Sequence, residues 1–170
     1  TEPAMTTAID RFADVSVLVV GDAMLDRYLQ GSVSRISPEA PVPVVRKSRE
    51  WATPGGAGHV AASIAGLGCR VTLAALVGRD AGAAELADTL RAAGVASLKL
   101  LPVDGVRTVT KTRVVAGDFQ QLLRIDEDPS PGEWGDAAGR LARELIPLLP
   151  HFDAVVLTDY EKGVLTEDVV

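Results

Sequence analysis

Residues 53–68 constrain the fold more than any other stretch, because they join two adjacent glycines to an apolar helix of small residues. Gly55 and Gly56 carry no Cβ atom, so another group can approach their backbone closely. A helix that begins directly after them offers free N–H groups and a partial positive charge, which favour a polar or anionic ligand. A tight turn and a close contact between helix and sheet explain the glycines equally well. The stretch by itself therefore leaves a binding role and a purely structural role open.

The chain around this stretch alternates between predicted strands and helices. Residues 15–20 and 71–78 are continuous apolar runs rich in β-branched side chains, as in strands that are buried on both faces of a parallel sheet. Further elements follow the same alternation: a helix over 80–93, a strand over 97–101, a helix over 137–149 and a buried strand over 154–157. The order predicts an α/β fold with a doubly wound, mostly parallel sheet.

Two segments depart from this alternation and predict a small antiparallel β lid. Residues 27–52 contain three prolines within six positions, which excludes a helix and predicts an extended excursion with a short edge strand over 42–47. Residues 107–126 are polar and β-branched on both sides of Gly117, which predicts an antiparallel hairpin with a polar face. We expect this hairpin to pair with the 42–47 strand, so that the lid comprises about residues 27–52 and 104–127.

Two acidic residues directly follow predicted core strands. Asp22 comes after the 15–20 strand, and Asp159 comes after the 154–157 strand. Because ligands of open α/β sheets bind at the carboxyl ends of the strands, we expect both acids to lie near the glycine pair. Asp22 is then placed to accept hydrogen bonds from a polyol. The alternative is that Asp22 only caps a turn.

Two basic residues of the predicted hairpin, Lys111 and Arg124, are candidates for cations that face inward. Each would suit a substrate phosphate, because both side chains donate charge-assisted hydrogen bonds. The alternative is that they are solvated charges on an edge strand. The sequence alone leaves both interpretations open.

Composition excludes several classes of function. The net charge is −6 and the longest basic run is Arg46-Lys47, which argues against a nucleic-acid partner. No apolar stretch is long enough for a membrane span, and the first 16 residues lack the basic and apolar regions that predict a secretory signal. Cys69 is the single cysteine, so an internal disulfide is impossible and a reducing cytoplasm is the expected location. The two histidines and the scattered acids lack the spacing of a metal site.

A dinucleotide-binding enzyme is a rival interpretation. Residues 56–61 match the loose pattern G-x-G-x-x-A, open a helix and are followed by a strand and Asp80. A Rossmann site, however, needs a buried strand directly before the glycines, and residues 46–54 are charged and contain a proline. This rival is the weaker hypothesis.

Taken together, the strand that ends in Gly21-Asp22, the β lid and the Pro-Gly-Gly sequence before a small-residue helix resemble the ribokinase-like (PfkB) carbohydrate kinases. Longer strings resemble the bacterial heptose 7-phosphate kinases, which stand alone or form the first domain of a bifunctional ADP-heptose synthase. These strings are residues 21–28, 34–44, 110–114, 120–126 and 159–163. The string Ser-Arg-Ile-Ser-Pro-Glu-Ala-Pro-Val-Pro at 34–43 is far more specific than the glycine pair. The resemblance covers nearly all of residues 15–165.

The resemblance implies a reaction and a set of cofactors. A kinase of this kind uses ATP and Mg²⁺ to phosphorylate the anomeric O1 of D-glycero-D-manno-heptose 7-phosphate, on the way to the heptose of lipopolysaccharide. Closure of the lid would exclude water, which competes for the phosphoryl group. The resemblance also implies a homodimer formed through the lid.

The resemblance further implies which residues meet the substrate. Asp22 would bind sugar hydroxyls, and the backbone of Gly55 and Gly56 would face the sugar. Lys111 and Arg124 would act from the lid, whereas Asp159 and Lys162 would lie near the path of phosphoryl transfer. His59 stands where the family usually has an asparagine that holds a sugar hydroxyl. An imidazole cannot both donate and accept there as an amide does, so the exact sugar stays open.

The catalytic base of the family lies in a later Gly-Ala-Gly-Asp motif, together with most of the nucleotide pocket. Asp118, at the predicted hairpin tip, is not that base. Residues 166–170 are typical of the first turn of a helix, with Thr166 as its N-cap. We therefore expect residues 1–170 to be the N-terminal part of one kinase domain, with the base beyond Val170. Another PfkB sugar kinase and a non-catalytic sugar-phosphate-binding module are the alternatives.

Overall fold

A computed structural model describes residues 11–130, 132–167 and 169, which form two four-stranded sheets and three α-helices. Sheet A contains β1 (Ser16–Gly21), β4 (Arg70–Gly78), β5 (Ser97–Val103) and β8 (Ala154–Thr158). Sheet B contains β2 (Ala23–Ile36), β3 (Pro43–Gly56), β6 (Thr110–Ala116) and β7 (Gln120–Glu127). The helices are α1 (Ala57–Gly66), α2 (Ala81–Ala92) and α3 (Ala137–Leu145). Short 3₁₀ segments span Arg11–Asp14 and Ile146–His151.

Sheet A is parallel throughout and has the strand order β5-β4-β1-β8. Side chains of β1 alternate between its two faces. Val17 and Val19 pack in one apolar cluster with α1 and α2, whereas Leu18 and Val20 pack in a second cluster with α3. Helices therefore cover both faces of the sheet, which confirms the doubly wound α/β prediction.

The strand β8 differs from its prediction, because it is not buried. It lies at the edge of sheet A, and Val155 and Leu157 are 45% and 43% exposed. An apolar run indicates a strand that can be buried on both faces, but it does not reveal whether the strand is central or at an edge. The predicted 137–149 helix is also shorter, since α3 ends at Leu145 and continues as the 3₁₀ segment, which contains Pro147.

Sheet B has the strand order β3-β2-β6-β7, and it differs from the prediction in the length of two strands and in one pairing. The 27–52 segment is extended, and the predicted 42–47 edge strand falls in β3 at the edge of the sheet, but the strands are longer than predicted: β2 and β3 have 14 residues each and pair antiparallel. The hairpin of β6 and β7 forms as predicted, but β6 pairs in parallel with β2 and not with the 42–47 strand. The sheet is therefore mixed. The prolines do not interrupt it, since Pro38 and Pro41 lie in the connection between the strands and Pro43 is the first residue of β3.

One face of sheet B packs against α2. Leu25 is buried in the same cluster as Leu86, and Arg27 forms an ion pair with Glu85 of that helix. The opposite face carries Asp26 and its register neighbour Lys111. Sheet B is thus covered on one face only.

A single residue joins the first strand of sheet A to the first strand of sheet B. β1 ends at Gly21 and β2 begins at Ala23, so Asp22 alone lies between them. The Asp22 carbonyl oxygen accepts the N–H of Ala57 at 2.9 Å. Gly56 has φ of 55°, and a Cβ atom there would lie 2.2 Å from the same oxygen. The glycine pair therefore ends β3 and permits its close approach to Asp22.

The predicted helical turn at 166–170 falls partly outside the described residues, which omit 168 and 170. Within the described part, the Thr166 carbonyl oxygen accepts the N–H of Val169 at 2.9 Å.

Candidate functional site

Asp26 and Gly55 lie together where the open face of sheet B meets sheet A. Asp26 pairs in register with Thr53 on one side and with Lys111 on the other, so these side chains share a face. A Cβ atom on Gly55 would lie only 2.1 Å from Asp26 Oδ2. Gly55 is therefore required by the position of the Asp26 carboxylate.

The two oxygens of Asp26 have different surroundings. Oδ1 accepts a hydrogen bond from Arg113 Nη1 at 2.5 Å. Within the described ranges, no hydrogen bond reaches Oδ2, which lies above Gly55. The side chain is 18% exposed. Asp26 thus keeps one acceptor oxygen beside a stretch of backbone that has no side chain.

Asp26 was not among the predicted site residues. It lies four residues after Asp22, inside a string that resembles the family, but the predicted 15–20 strand stopped before it. Recognition of β2 as a strand that begins at Ala23 would have placed Asp26 opposite residues 53–56. Asp26 was therefore missed because β2 was not predicted as a strand that begins at Ala23.

Asp22 is almost completely buried, with 1% of its surface exposed. Its carboxylate accepts three backbone N–H groups, from Tyr160 at 2.8 Å, Lys162 at 3.0 Å and Val164 at 3.0 Å. It therefore holds the loop that follows β8, which contains Glu161 in a left-handed conformation with φ of 58°. These contacts agree with the alternative that Asp22 caps a turn. A direct hydrogen bond from a sugar hydroxyl to Asp22 stays a prediction.

The predicted cations Lys111, Arg124 and Lys162 belong to one chain of ion pairs. Lys111 Nζ lies 3.0 Å from Asp126 Oδ2 and 3.3 Å from Asp128 Oδ1, and Lys162 Nζ lies 3.0 Å from Asp128 Oδ2. Arg124 donates two hydrogen bonds to Asp126, at 2.7 and 2.9 Å. Three cations therefore share two carboxylates.

The members of this chain differ in exposure. The side chain of Lys111 is only 13% exposed, whereas that of Arg124 is 48% exposed. The hydrogen bond from Arg124, followed by the bond and charge of Lys111, lowers the pKa of Asp126 despite its partial burial. Asp128 connects sheet B to the loop after β8, because it pairs with Lys111 and Lys162 at once.

The structure does not bring His59 and Asp159 into this ionic chain. His59 is exposed near the start of α1. Asp159 is exposed and accepts the N–H of Glu161 at 2.8 Å. Asp159 and Lys162 line a cavity of about 370 Å³ beside Trp134, whose Nε1 donates to the Lys162 carbonyl oxygen at 2.6 Å.

The described residues contain neither a metal-ligand cluster nor a helix suited to a membrane. No three side chains of His, Cys, Asp or Glu are close enough together to hold a metal ion. None of the helices in that part of the chain has the length and apolar character that a membrane crossing requires.

Comparison with known proteins adds evidence for the family. Residues 14–134 match the sequence model described as pfkB family carbohydrate kinase. The chain is 44% identical over 160 residues to the bifunctional protein HldE of Magnetococcus marinus, which covers 91% of this chain and 32% of that protein. The chain thus spans about a third of the length of the curated relative.

Solved structures are similar in fold. A carbohydrate kinase from Agrobacterium tumefaciens has a TM-score of 0.63 at 20% identity, over 84% of this chain and 45% of that one. The ribokinase of Arabidopsis thaliana, solved with ribose and ATP, has a TM-score of 0.55 at 19% identity, again over 84% and 45%. These likenesses confirm a ribokinase-like α/β fold. Since the family model spans more than two thirds of the sequence, the chain belongs to the pfkB family of carbohydrate kinases.

Proposed function

We propose that the open face of sheet B binds a sugar phosphate for an ATP-dependent kinase. The substrate is D-glycero-D-manno-heptose 7-phosphate, the phosphoryl group is transferred to its anomeric O1, and the product serves the synthesis of ADP-heptose for lipopolysaccharide. The likeness of 44% to a protein named HldE supports this choice. In this reaction, the described residues bind and orient the sugar.

The observation that carries the proposal is the position of Asp26 over Gly55. A carboxylate oxygen that no described residue bonds, beside backbone that has no Cβ atom, suits a sugar ring whose hydroxyl donates to it. Hydrogen bonds to a charged group contribute about 1.5–3 kcal/mol each. Asp22 then has an indirect role, because it fixes the loop that carries Lys162.

The cofactors implied by the resemblance are ATP and Mg²⁺. Mg²⁺ is commonly bound by one or two carboxylates together with nucleotide phosphates. The described residues contain no metal-ligand cluster, and the oxygens of Asp128 already accept from Lys111 and Lys162. These residues therefore do not make a Mg²⁺ site of their own. We assign neither cofactor, and no catalytic base, to a residue of this chain.

Sheet B is proposed to act as the lid of the site and as the contact of a homodimer in the cytoplasm. Leu123 and Ile125 of β7 are 48% and 52% exposed, which supports a further contact on this sheet. The rival dinucleotide site receives no such support. The strand before its glycines is β3, which lies in the mixed sheet B and not in the parallel sheet.

The experiment compares Asp26→Asn with Asp118→Asn in the complete gene product. Asp118 is an exposed residue of the β6–β7 turn and serves as the matched control. We expect Asp26→Asn to weaken binding of the heptose 7-phosphate by about 10- to 100-fold in calorimetry, because one charged hydrogen bond is lost. Asp118→Asn should bind like the wild type.

The same titrations decide between the competing functions. Tight binding and phosphorylation of another sugar in place of the heptose phosphate would assign a different PfkB kinase. Binding without any ADP formation would assign a non-catalytic module. Equal affinity in Asp26→Asn and Asp118→Asn would contradict the role of Asp26.

A further inference from the structure

Among the described residues, Arg113 is the cation that forms an ion pair with Asp26, the proposed hydroxyl acceptor. It is in β6, in register with Tyr28 of β2, and its Nη1 donates to Asp26 Oδ1 at 2.5 Å. Its side chain is 23% exposed. Burial tends to lower the pKa of Arg113, but the hydrogen bond and charge of Asp26 outweigh burial and raise it. The guanidinium is therefore charged at the point where a ligand of Asp26 would lie.

A ring holds this guanidinium in place. The Cζ atom of Arg113 lies 5.4 Å from the centre of the Tyr28 ring, and Tyr28 stacks on Trp51 with centroids 5.0 Å apart and planes 5° apart. Arg49 covers the other end of the stack, 4.8 Å from Trp51. A guanidinium that rests on an aromatic face and is tied to a carboxylate has lost most of its rotational freedom before a ligand arrives.

Arg113 also keeps unused donors. A guanidinium has five N–H donors, and within the described ranges Asp26 is its single hydrogen-bond partner. Lys111, by contrast, contacts two carboxylates, and Arg124 uses two nitrogens on Asp126. Lys111 must therefore share its three donors to meet a phosphate. Within the same part of the chain, Arg124 keeps three free N–H groups but is 48% exposed, whereas Arg113 keeps four and is more buried.

We propose that Arg113 is the specificity-determining residue by which the site distinguishes a phosphorylated sugar from the same sugar without phosphate. Its free N–H groups donate to the phosphate oxygens while Asp26 accepts a neighbouring hydroxyl. The planar fork of arginine matches two oxygens of a phosphate group. This inference rests on the proposed function and assigns the phosphate to Arg113 ahead of Lys111 and Arg124.

The test uses three variants of the complete gene product: Arg113→Met, Arg113→Lys and Arg49→Met. Each is titrated with D-glycero-D-manno-heptose 7-phosphate and with the free heptose, and the ratio of the two Kd values is compared. A ratio cancels a general weakening of the site, such as that caused by an unpaired Asp26. Arg49→Met is the matched control, because Arg49 lies on the same aromatic stack at its other end.

We expect the preference for the phosphorylated sugar to fall by about 10- to 100-fold in Arg113→Met, as for the loss of a charge-assisted pair. Arg113→Lys should retain an intermediate preference, since it keeps the charge but loses the fork. Arg49→Met should keep the wild-type ratio. If Arg113→Met does not fold, as judged by circular dichroism, the intermediate ratio of Arg113→Lys carries the test.

Titration with a non-hydrolysable ATP analogue tests whether Arg113 binds the phosphate of the sugar or the phosphates of the nucleotide. Its Kd should stay unchanged in Arg113→Met, and a loss of nucleotide affinity instead of sugar preference would overturn the proposal. An unchanged ratio in both Arg113 variants would overturn it as well and leave the kinase function intact. A wild type that binds neither form of the heptose would remove the proposed function and this inference with it.

Discussion

The two sheets are stabilised in different ways, although both have four strands in the described residues. In sheet A, Leu18 and Leu73 have no exposed surface, and helices cover both faces. In sheet B, one face is open, and its side chains are joined by ion pairs and by the stack of Tyr28 on Trp51. A sheet that is covered on both faces depends on apolar burial, whereas a sheet with an open face depends on cross-strand polar and aromatic pairs. We infer that sheet A supplies most of the stability and that sheet B supplies recognition.

The largest expected effect tests this division with one substitution in each sheet. Leu73→Ala in β4 removes a fully buried side chain and should lower the free energy of unfolding by about 3 kcal/mol. Leu123→Ala in β7 removes a side chain that is 48% exposed and should cost less than about 1 kcal/mol. Urea denaturation measures both. Equal losses would mean that the two sheets contribute alike to stability.

The next effect concerns Asp22, which stands at the junction of the sheets. Asp22→Ala should lower the free energy of unfolding by about 2 kcal/mol, because three backbone N–H groups of the 160–164 loop lose their acceptor. Asp26→Ala should change stability less and sugar affinity more. Urea denaturation and calorimetry on both variants check the contrast. A stable Asp22→Ala protein that no longer binds sugar would favour the direct role first expected for Asp22.

A smaller effect, of about 1 kcal/mol, is expected at Asp80 and should depend on pH. Asp80 Oδ1 caps α2 by accepting the N–H of Ala83 at 2.9 Å, and the carboxylate also accepts the backbone N–H and the hydroxyl of Thr108. Burial acts to raise the pKa of Asp80, but these hydrogen bonds outweigh it and the pKa is lowered.

The sign of the pH dependence follows from that lowered pKa. A carboxyl group with a depressed folded-state pKa stabilises the protein above its unfolded-state pKa of about 3.9, and the contribution is lost as the pH falls through the folded-state value. The stability difference between wild type and Asp80→Ala should be constant near pH 7 and shrink below about pH 4. Asp88→Ala, on the exposed side of the same helix, is the control. A difference that grows at low pH would contradict this account.

The smallest effect is expected at Asp128, which pairs with Lys111 of sheet B and Lys162 of the loop after β8. Asp128→Asn should lower the free energy of unfolding by about 0.5 kcal/mol at low salt, as for other partly exposed ion pairs. The difference should vanish in 1 M salt, where the screening length is about 3 Å. An effect that persists at high salt would show that Asp128 acts through packing.

Sheet A was predictable from the sequence, and sheet B was predictable only in part. The runs at 15–20 and 71–78 contain one polar residue each, Ser16 and Thr72, and are otherwise apolar except for Gly78, so β1 and β4 were located almost to the residue. β2 and β3 contain charged residues on both faces, and the prolines near them concealed two strands of 14 residues. The pairing of β2 with β6 is a tertiary contact that no local pattern encodes.

The candidate site was also predictable from the sequence only in part. Gly55 and Lys111 were predicted because glycine pairs and basic hairpins have local signatures. Asp26 and Arg113 depend on the register between β2 and β6, which places Arg113 opposite Tyr28. Asp22 was correctly expected at the end of β1, but only the three-dimensional path of the 160–164 loop reveals that its carboxylate is already in use.

The number of residues between β1 and β2 affects which side chains of β2 face the site, because side chains alternate along a strand. One residue, Asp22, separates β1 from β2. A single inserted residue that shifted β2 by one position would turn Asp26 toward α2 and bring Leu25 to the open face, although every residue type was retained. Two inserted residues would restore the alternation. A change in length by one residue, which surface loops accept freely, therefore needs a compensating β-bulge at this point of the chain.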